Sequence, residues 1–84
     1  MPSATLTLIG KPGCHLCDDA RAVVTEVLAD FESVTLDELS ILDDAALHEL
    51  YVEEIPVLLL NGRVHNIWRV DADRLRRSLE EAMA

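Results

Sequence analysis

Apolar and polar residues follow two different periods along this chain, and each change of period marks a new element. Residues 4–9 are apolar and β-branched and are followed by Gly10 and Pro12, which predicts a first strand. From residue 15 to about residue 30, apolar side chains recur every three or four positions with charged side chains between them. We therefore expect an amphipathic helix with one buried stripe. Residues 33–38 alternate loosely and predict a second strand, parallel to the first after a right-handed crossover.

The middle of the chain predicts a short helix and a hairpin. Asp43 or Asp44 can cap the helix, since both aspartates precede a segment with helical period. The residues that we expect this helix to bury are Ala46, Leu47, Leu50 and Tyr51. The dipeptide Asn61-Gly62 between two apolar runs indicates a two-residue type I′ turn, which requires positive φ at both positions. The uninterrupted apolar run 57–60 is typical of a strand that is covered on both faces.

A final helix completes the pattern. Asp71 can cap it, and the residues that would face inward are Leu75, Leu79, Ala82 and Met83. The predicted order is β-α-β-α-β-β-α, an α/β fold with a four-stranded mixed sheet flanked by three helices. With 84 residues and no internal repeat or linker, we expect one domain, residues 1–84.

The net charge and the lengths of the apolar stretches limit the classes of function and the cellular locations that we expect for this chain. The formal net charge of −9 argues against binding to nucleic acid or to an anionic membrane surface. No apolar stretch approaches the roughly 20 residues of a membrane span, and the N-terminus lacks the pattern of a signal peptide. We therefore expect a cytoplasmic protein. In that compartment a cysteine pair is more often catalytic or metal-binding than structural.

Both cysteines lie in the segment KPGCHLC, residues 11–17. The predicted helix opens on Cys14, and unpaired N–H groups and the helix dipole at such a terminus favour a thiolate over a thiol. This indicates a redox dithiol. Half of a zinc site is the alternative, but its two further ligands would have to come from His15, His48 and His65, which have no recognisable spacing. His15 would either stabilise a Cys14 thiolate as an imidazolium or do little as an exposed ring. We expect His48 and His65 at the surface.

The order of elements and three local motifs carry a resemblance to a known family. The motifs are KPGC-x-x-C at residues 11–17, Ile-Pro-Val-Leu at residues 55–58 and Trp68 late in the hairpin. Together they resemble the glutaredoxins, the minimal form of the thioredoxin fold, and in particular a small bacterial glutaredoxin-like group. The resemblance implies that Cys14 attacks a disulfide and Cys17 resolves the mixed disulfide. It also implies a cis Ile55–Pro56 bond beside the dithiol, with the Ile55 backbone free to pair with an extended substrate.

The resemblance further implies possible sites for glutathione. Lys11 matches the lysine that pairs with a glutathione carboxylate, and Asp71 can be matched to the family aspartate or can simply cap the last helix. Where glutaredoxins usually carry Gly-Gly, this chain has Trp68 and Arg69, so the backbone cannot approach a ligand as closely. Arg69 would hold a carboxylate or be a solvated strand end.

The function that these residues favour is thiol–disulfide oxidoreductase activity on a disulfide-containing protein or a small thiol substrate. Glutathione or thioredoxin reductase would be the electron donor. We expect a monomer with no tightly bound cofactor. One alternative is a binding module in which Cys14 ligates an iron–sulfur cluster across a dimer. Another is a relative of the same fold whose dithiol has no partner.

Overall fold

The strands and helices follow the changes of hydrophobic period along the chain. The computed structural model describes residues 3–83. The elements are β1 (Ala4–Gly10), α1 (His15–Leu28), β2 (Val34–Ser40), α2 (Ala45–Tyr51), β3 (Val57–Leu60), β4 (Arg63–Ile67) and α3 (Ala72–Met83). This order confirms the predicted β-α-β-α-β-β-α arrangement and its α/β class.

The four strands form one mixed sheet in the order β2-β1-β3-β4. β1 and β2 are parallel and pair from Ala4 with Val34 to Gly10 with Ser40. β3 lies antiparallel to β1 on one side and to β4 on the other. Because β1 and β3 are central, their side chains supply much of the core. In β3, Val57 and Leu58 are fully buried as predicted, whereas Leu59 and Leu60 are only half-buried.

Helices cover both faces of the sheet. On one face, apolar side chains of α1 and α3 pack on β1 and β3, with Val24, Val27, Leu75 and Leu79 completely buried. Ala82 and Met83 pack against this cluster, as predicted. On the other face, Leu47 and Tyr51 of α2 pack against Ile9, Ile41 and Val57.

The prediction that α2 also buries Ala46 and Leu50 is wrong. Both residues are exposed, and the side chain of Leu50 is 64% exposed. A helix of seven residues presents only a narrow stripe to the sheet, and Leu47 and Tyr51, four residues apart, fill it. Asp44 rather than Asp43 is the cap, since its Oδ1 accepts hydrogen bonds from the N–H groups of Ala46 and Leu47.

The β3–β4 hairpin has the predicted turn and one irregularity. Asn61 and Gly62 both have positive φ, 52° and 85°, as a type I′ turn requires. Leu58 pairs with Asn66 and Leu59 pairs with Val64, so that His65 is an extra residue in β4. Such a bulge bends a strand and redirects its side chains. Among the helices that the structure describes, none is both long and apolar enough to span a bilayer.

Candidate active site

One end of the sheet brings the predicted site segments together. Gly10 and Ser40 are register partners at the ends of β1 and β2. Val57 pairs with Ile9 in β1 and with Ile67 in β4. Pro56 and Trp68, one residue beyond those pairs, therefore lie at the same end as the loop that leaves Gly10. The first turn of α1, with both cysteines, starts from this loop.

Cys14 occupies the N-cap of α1. Its backbone is extended (φ −96°, ψ 114°), and its Sγ accepts a hydrogen bond from the Cys17 N–H at 3.2 Å. The Asp18 N–H also donates to the Cys14 carbonyl at 3.0 Å. The thiol is half-buried, so that it remains accessible from solvent. A sulfur in this position faces the positive end of the helix dipole and has an N–H donor that can stabilise negative charge.

Cys17 is in a different environment one turn into the helix. It is 1% exposed, and both cysteines are free thiols in the structure. Burial raises the pKa of the Cys17 thiol from 9.0 to about 11, the hydrogen bond with Cys14 adds to this effect, and a backbone hydrogen bond from Lys11 opposes it. The two thiols of the motif therefore differ, with Cys14 accessible and Cys17 enclosed and protonated at neutral pH.

A polar cleft of about 440 Å³ lies on the β2 side of the cysteine loop. Lys11, Cys17, Arg21 and Glu38 are among its lining residues. The Arg21 guanidinium lies between the carboxylates of Glu38 and Asp18, with Asp18 Oδ1 at 3.0 Å from a terminal nitrogen. These hydrogen bonds raise the pKa of Arg21 and join the first turns of α1 to β2. The cleft gives solvent a route to the side of Cys17.

A smaller cleft of about 200 Å³ lies on the other side of α1, next to the segment between β4 and α3. Leu16, Trp68 and Arg69 contribute to it. Trp68 has φ 66°, donates its backbone N–H to the Pro56 carbonyl at 2.8 Å and donates its indole N–H to the Glu53 carbonyl at 3.1 Å. Positive φ is uncommon for a bulky residue and is found mainly where surrounding contacts enforce it.

The sequence of this chain is similar to a family of known proteins. The family described as "Glutaredoxin-like domain (DUF836)" matches residues 5–80. The chain belongs to this glutaredoxin-like family. An uncharacterized protein of Mycobacterium tuberculosis is 26% identical to it over 83 residues, covering 94% of this chain and 86% of the relative. An uncharacterized protein of Mycobacterium bovis matches with the same values.

Two solved structures are similar to this glutaredoxin-like protein. An X-ray structure of a structural genomics target protein from X. campestris is 39% identical, with a TM-score of 0.68, and the match covers 90% of this chain and 96% of the other. Chloroplastic thioredoxin z has a TM-score of 0.78 at 9% identity, covering 96% of this chain and 79% of its own. At that identity the likeness establishes the thioredoxin fold alone.

The structure locates the other residues that the sequence suggested for this glutaredoxin-like site. Lys11 and His15 are exposed beside Cys14, and Arg69 is exposed in the smaller cleft. Asp71 caps α3, since its Oδ1 accepts a hydrogen bond from the Arg74 N–H at 3.1 Å. This hydrogen bond accounts for the position of Asp71 as the cap of α3.

The Ile55–Pro56 segment differs from the expectation in one respect. The peptide bond is cis and Pro56 is buried. We expected the Ile55 backbone to be free for a substrate, but its N–H donates to the Tyr51 carbonyl at 3.0 Å as α2 ends. The carbonyl of Ile55 receives no hydrogen bond from the described residues.

His65 was expected at the surface, and the structure places it in a half-buried position. Its ring is half-buried and lies between Asn66 Oδ1 at 2.7 Å and Ser78 Oγ at 2.8 Å, whereas His48 is exposed as expected. Sequence reasoning missed this contact because Ser78 is 13 residues away and the bulge at His65 has no local signature. Within residues 3–83, no group of three or more His, Cys, Asp or Glu side chains is arranged to hold a metal ion.

Proposed function

We propose that this glutaredoxin-like protein is a thiol–disulfide oxidoreductase in which Cys14 is the nucleophile and Cys17 the resolving thiol. The observation that carries the proposal is the asymmetry of the pair, an accessible Sγ at a helix N-terminus and an enclosed thiol three residues later. Membership of a glutaredoxin-like family supports a redox type of function.

The reaction has two exchange steps. The Cys14 thiolate attacks one sulfur of a substrate disulfide, forms a mixed disulfide and releases the other sulfur as a thiolate. The Cys17 thiol then loses its proton to solvent through the polar cleft and attacks the Cys14 Sγ. This releases the second substrate thiolate and leaves a Cys14–Cys17 disulfide. Two electrons have passed from the dithiol to the substrate.

The charged and polar groups around Cys14 support a proposal for the substrate. The exposed cations Lys11 and Arg69 lie on opposite sides of the helix terminus and can hold carboxylates of a bound thiol or peptide. His15 borders Cys14, and the Ile55 carbonyl can accept a hydrogen bond from the backbone of an extended substrate beside Pro56. The substrate is a disulfide-containing protein or small thiol disulfide, and glutathione or thioredoxin reductase returns the electrons to a cytoplasmic monomer.

Two coupled assays on the oxidised protein test this proposal. One supplies glutathione with glutathione reductase and the other supplies thioredoxin reductase, both with NADPH consumption as the readout. We expect turnover with one donor and its loss in Cys14→Ser. Cys17→Ser, mixed in reduced form with a peptide disulfide, should instead accumulate a mixed disulfide with one half of the peptide, which is detected by its mass. Silence in both assays, together with no mixed disulfide in Cys17→Ser, would contradict the proposal.

A further inference from the structure

Trp68 is the central residue of a tight turn at the end of β4. The Arg69 N–H donates to the Ile67 carbonyl at 2.8 Å, and Trp68 between them has φ 66°. A γ-turn with positive φ at its centre is rare and strained. Such strain persists only where other contacts enforce the conformation.

Two sets of hydrogen bonds enforce this turn. One set is made by Trp68 itself, to the Pro56 and Glu53 carbonyls. The other we call the His65 network: the Ser78 hydroxyl, the His65 ring, the Asn66 side chain and the Arg69 carbonyl. Asn66 Nδ2 donates to the Arg69 carbonyl at 2.6 Å, which leaves Asn66 Oδ1 to accept from His65 Nδ1–H.

The partners of Asn66 determine that His65 Nδ1 carries a hydrogen. His65 Nε2 pairs with the Ser78 hydroxyl across 2.8 Å. The bulge directs His65 toward α3, because an extra residue in a strand changes the direction of its side chains. The network thus connects α3 to the turn that carries Trp68 and Arg69.

This turn forms one wall of the smaller cleft. Trp68 is 54% exposed and lines the cleft together with Leu16, which is 39% exposed and lies between the two cysteines in sequence. The other lining residues are Asp19, Ala20, Val23, Arg69 and Val70. Five of these seven lining residues are apolar, whereas Asp19 and Arg69 contribute one charge of each sign. The charges cancel, so that an uncharged side chain with an apolar surface fits the cleft.

The size of the cleft indicates what part of a ligand enters it. At about 200 Å³ it is smaller than the roughly 300–1,000 Å³ of pockets that enclose a small-molecule ligand. It has room for one side chain of a larger molecule. An exposed tryptophan in such a position supplies a large, rigid contact surface and is a common centre of binding energy.

We propose that Trp68 determines substrate specificity by holding an apolar side chain of a polypeptide next to its disulfide, and that the His65 network positions Trp68 for this contact. The proposal rests on the proposed exchange reaction and names its substrate class. Trp68 touches the substrate, whereas His65, Asn66 and Ser78 are positioning residues that act through it.

A single-turnover experiment tests the proposal without any electron donor. The reduced protein is mixed with either of two peptide disulfides that differ only in the residue after the cysteine, Leu or Ser, and mixed-disulfide formation is followed by quenched flow and mass spectrometry. We expect the Leu peptide to react about tenfold faster, as is typical for one apolar contact in a pocket. Trp68→Ala should bring the ratio of the Leu-peptide rate to the Ser-peptide rate close to one. Trp68→Phe should retain most of this ratio.

Variants of the His65 network separate positioning from folding. Asn66→Asp keeps an acceptor for His65 but cannot donate to the Arg69 carbonyl, and Ser78→Ala removes the hydrogen-bond partner of Nε2. We expect both to reduce the ratio severalfold and to shift the fluorescence of Trp68, the only tryptophan. Ser78→Thr, which keeps the hydroxyl, and Leu50→Ala, an exposed apolar residue on α2, should preserve the ratio.

Each outcome has a separate meaning. Equal rates for the two peptides in the wild type, or an unchanged ratio in Trp68→Ala, would overturn the specificity role. An unchanged ratio and unchanged fluorescence in folded Asn66→Asp would overturn the positioning role. No reaction of the wild type with either peptide would instead contradict the proposed function.

Discussion

A methyl group on Gly10 would lie 2.7 Å from the Sγ of Cys17 and 3.2 Å from its Cβ. The last residue of β1 is therefore in direct contact with the buried thiol at the start of α1. Only a residue without a Cβ lets the helix come this close to the strand. The position of the Cys17 thiol depends on this contact as well as on its spacing from Cys14.

Gly10→Ala should therefore displace Cys17. We expect a loss of about 1–3 kcal/mol in the free energy of unfolding, as for other overpacked sites, and faster labelling of Cys17 by iodoacetamide in a Cys14→Ser background. Gly62→Ala is the control, because Gly62 has φ 85° and open space around it. It should lose about 1 kcal/mol through backbone strain, with Cys17 labelling unchanged. Equal labelling in the two variants would refute the contact.

The raised pKa of Cys17 predicts a pH dependence of stability. The thiol ionises near 9.0 when exposed and near 11 in the folded protein. As the pH rises, the unfolded chain therefore releases this proton before the folded protein does. The neutral thiol makes its full contribution to the free energy of unfolding below pH 9, and this contribution is lost as the pH rises toward 11. Urea unfolding of the wild type and of Cys17→Ala at several pH values checks this. The stability advantage of the wild type should shrink above pH 9, and a constant difference would argue against the shift.

The N-cap role of Cys14 can be separated from its chemical role. Its Sγ accepts the Cys17 N–H at 3.2 Å, so Cys14→Ala leaves that donor without a side-chain partner. We expect a loss of about 0.5–1 kcal/mol, at the low end of measured caps because sulfur is a weak acceptor. Cys14→Ser restores an acceptor and should be at least as stable as the wild type in urea, although both variants lack the Cys14 thiol. If Cys14→Ala were the more stable of the two, the capping interpretation would be wrong.

The ion pairs of Arg21 should contribute little to stability despite their position beside the polar cleft. Arg21 and both its partners, Asp18 and Glu38, are exposed, and such pairs typically contribute less than about 1 kcal/mol. Arg21→Gln should lower the free energy of unfolding by no more than that, and the difference should disappear at about 1 M salt. A larger, salt-independent loss would show that Arg21 supports the fold by packing rather than by charge.

Much of the site could be predicted from local sequence. The KPGCHLC segment between an apolar run and a helical pattern indicated a thiol at a helix N-terminus, and Cys14 is the N-cap of α1. The structure also places Lys11 and Arg69 near that terminus. The N-cap position of Cys14 could be predicted because helix capping depends on neighbouring residues. The expectation for Ile55 was only half right, because its N–H is taken by the end of α2.

The sequence by itself determined the order of strands and helices, the Asn61-Gly62 turn and the placement of Cys14, since periodicity and turn chemistry act over a few residues. The tertiary structure alone decided the contact of Gly10 with Cys17, the burial of His65 against Ser78 and the exposure of Leu50. Each of these depends on strand register, on a bulge or on the width of a helix's buried stripe. Those features arise from residues far apart in the chain, and no local pattern encodes them.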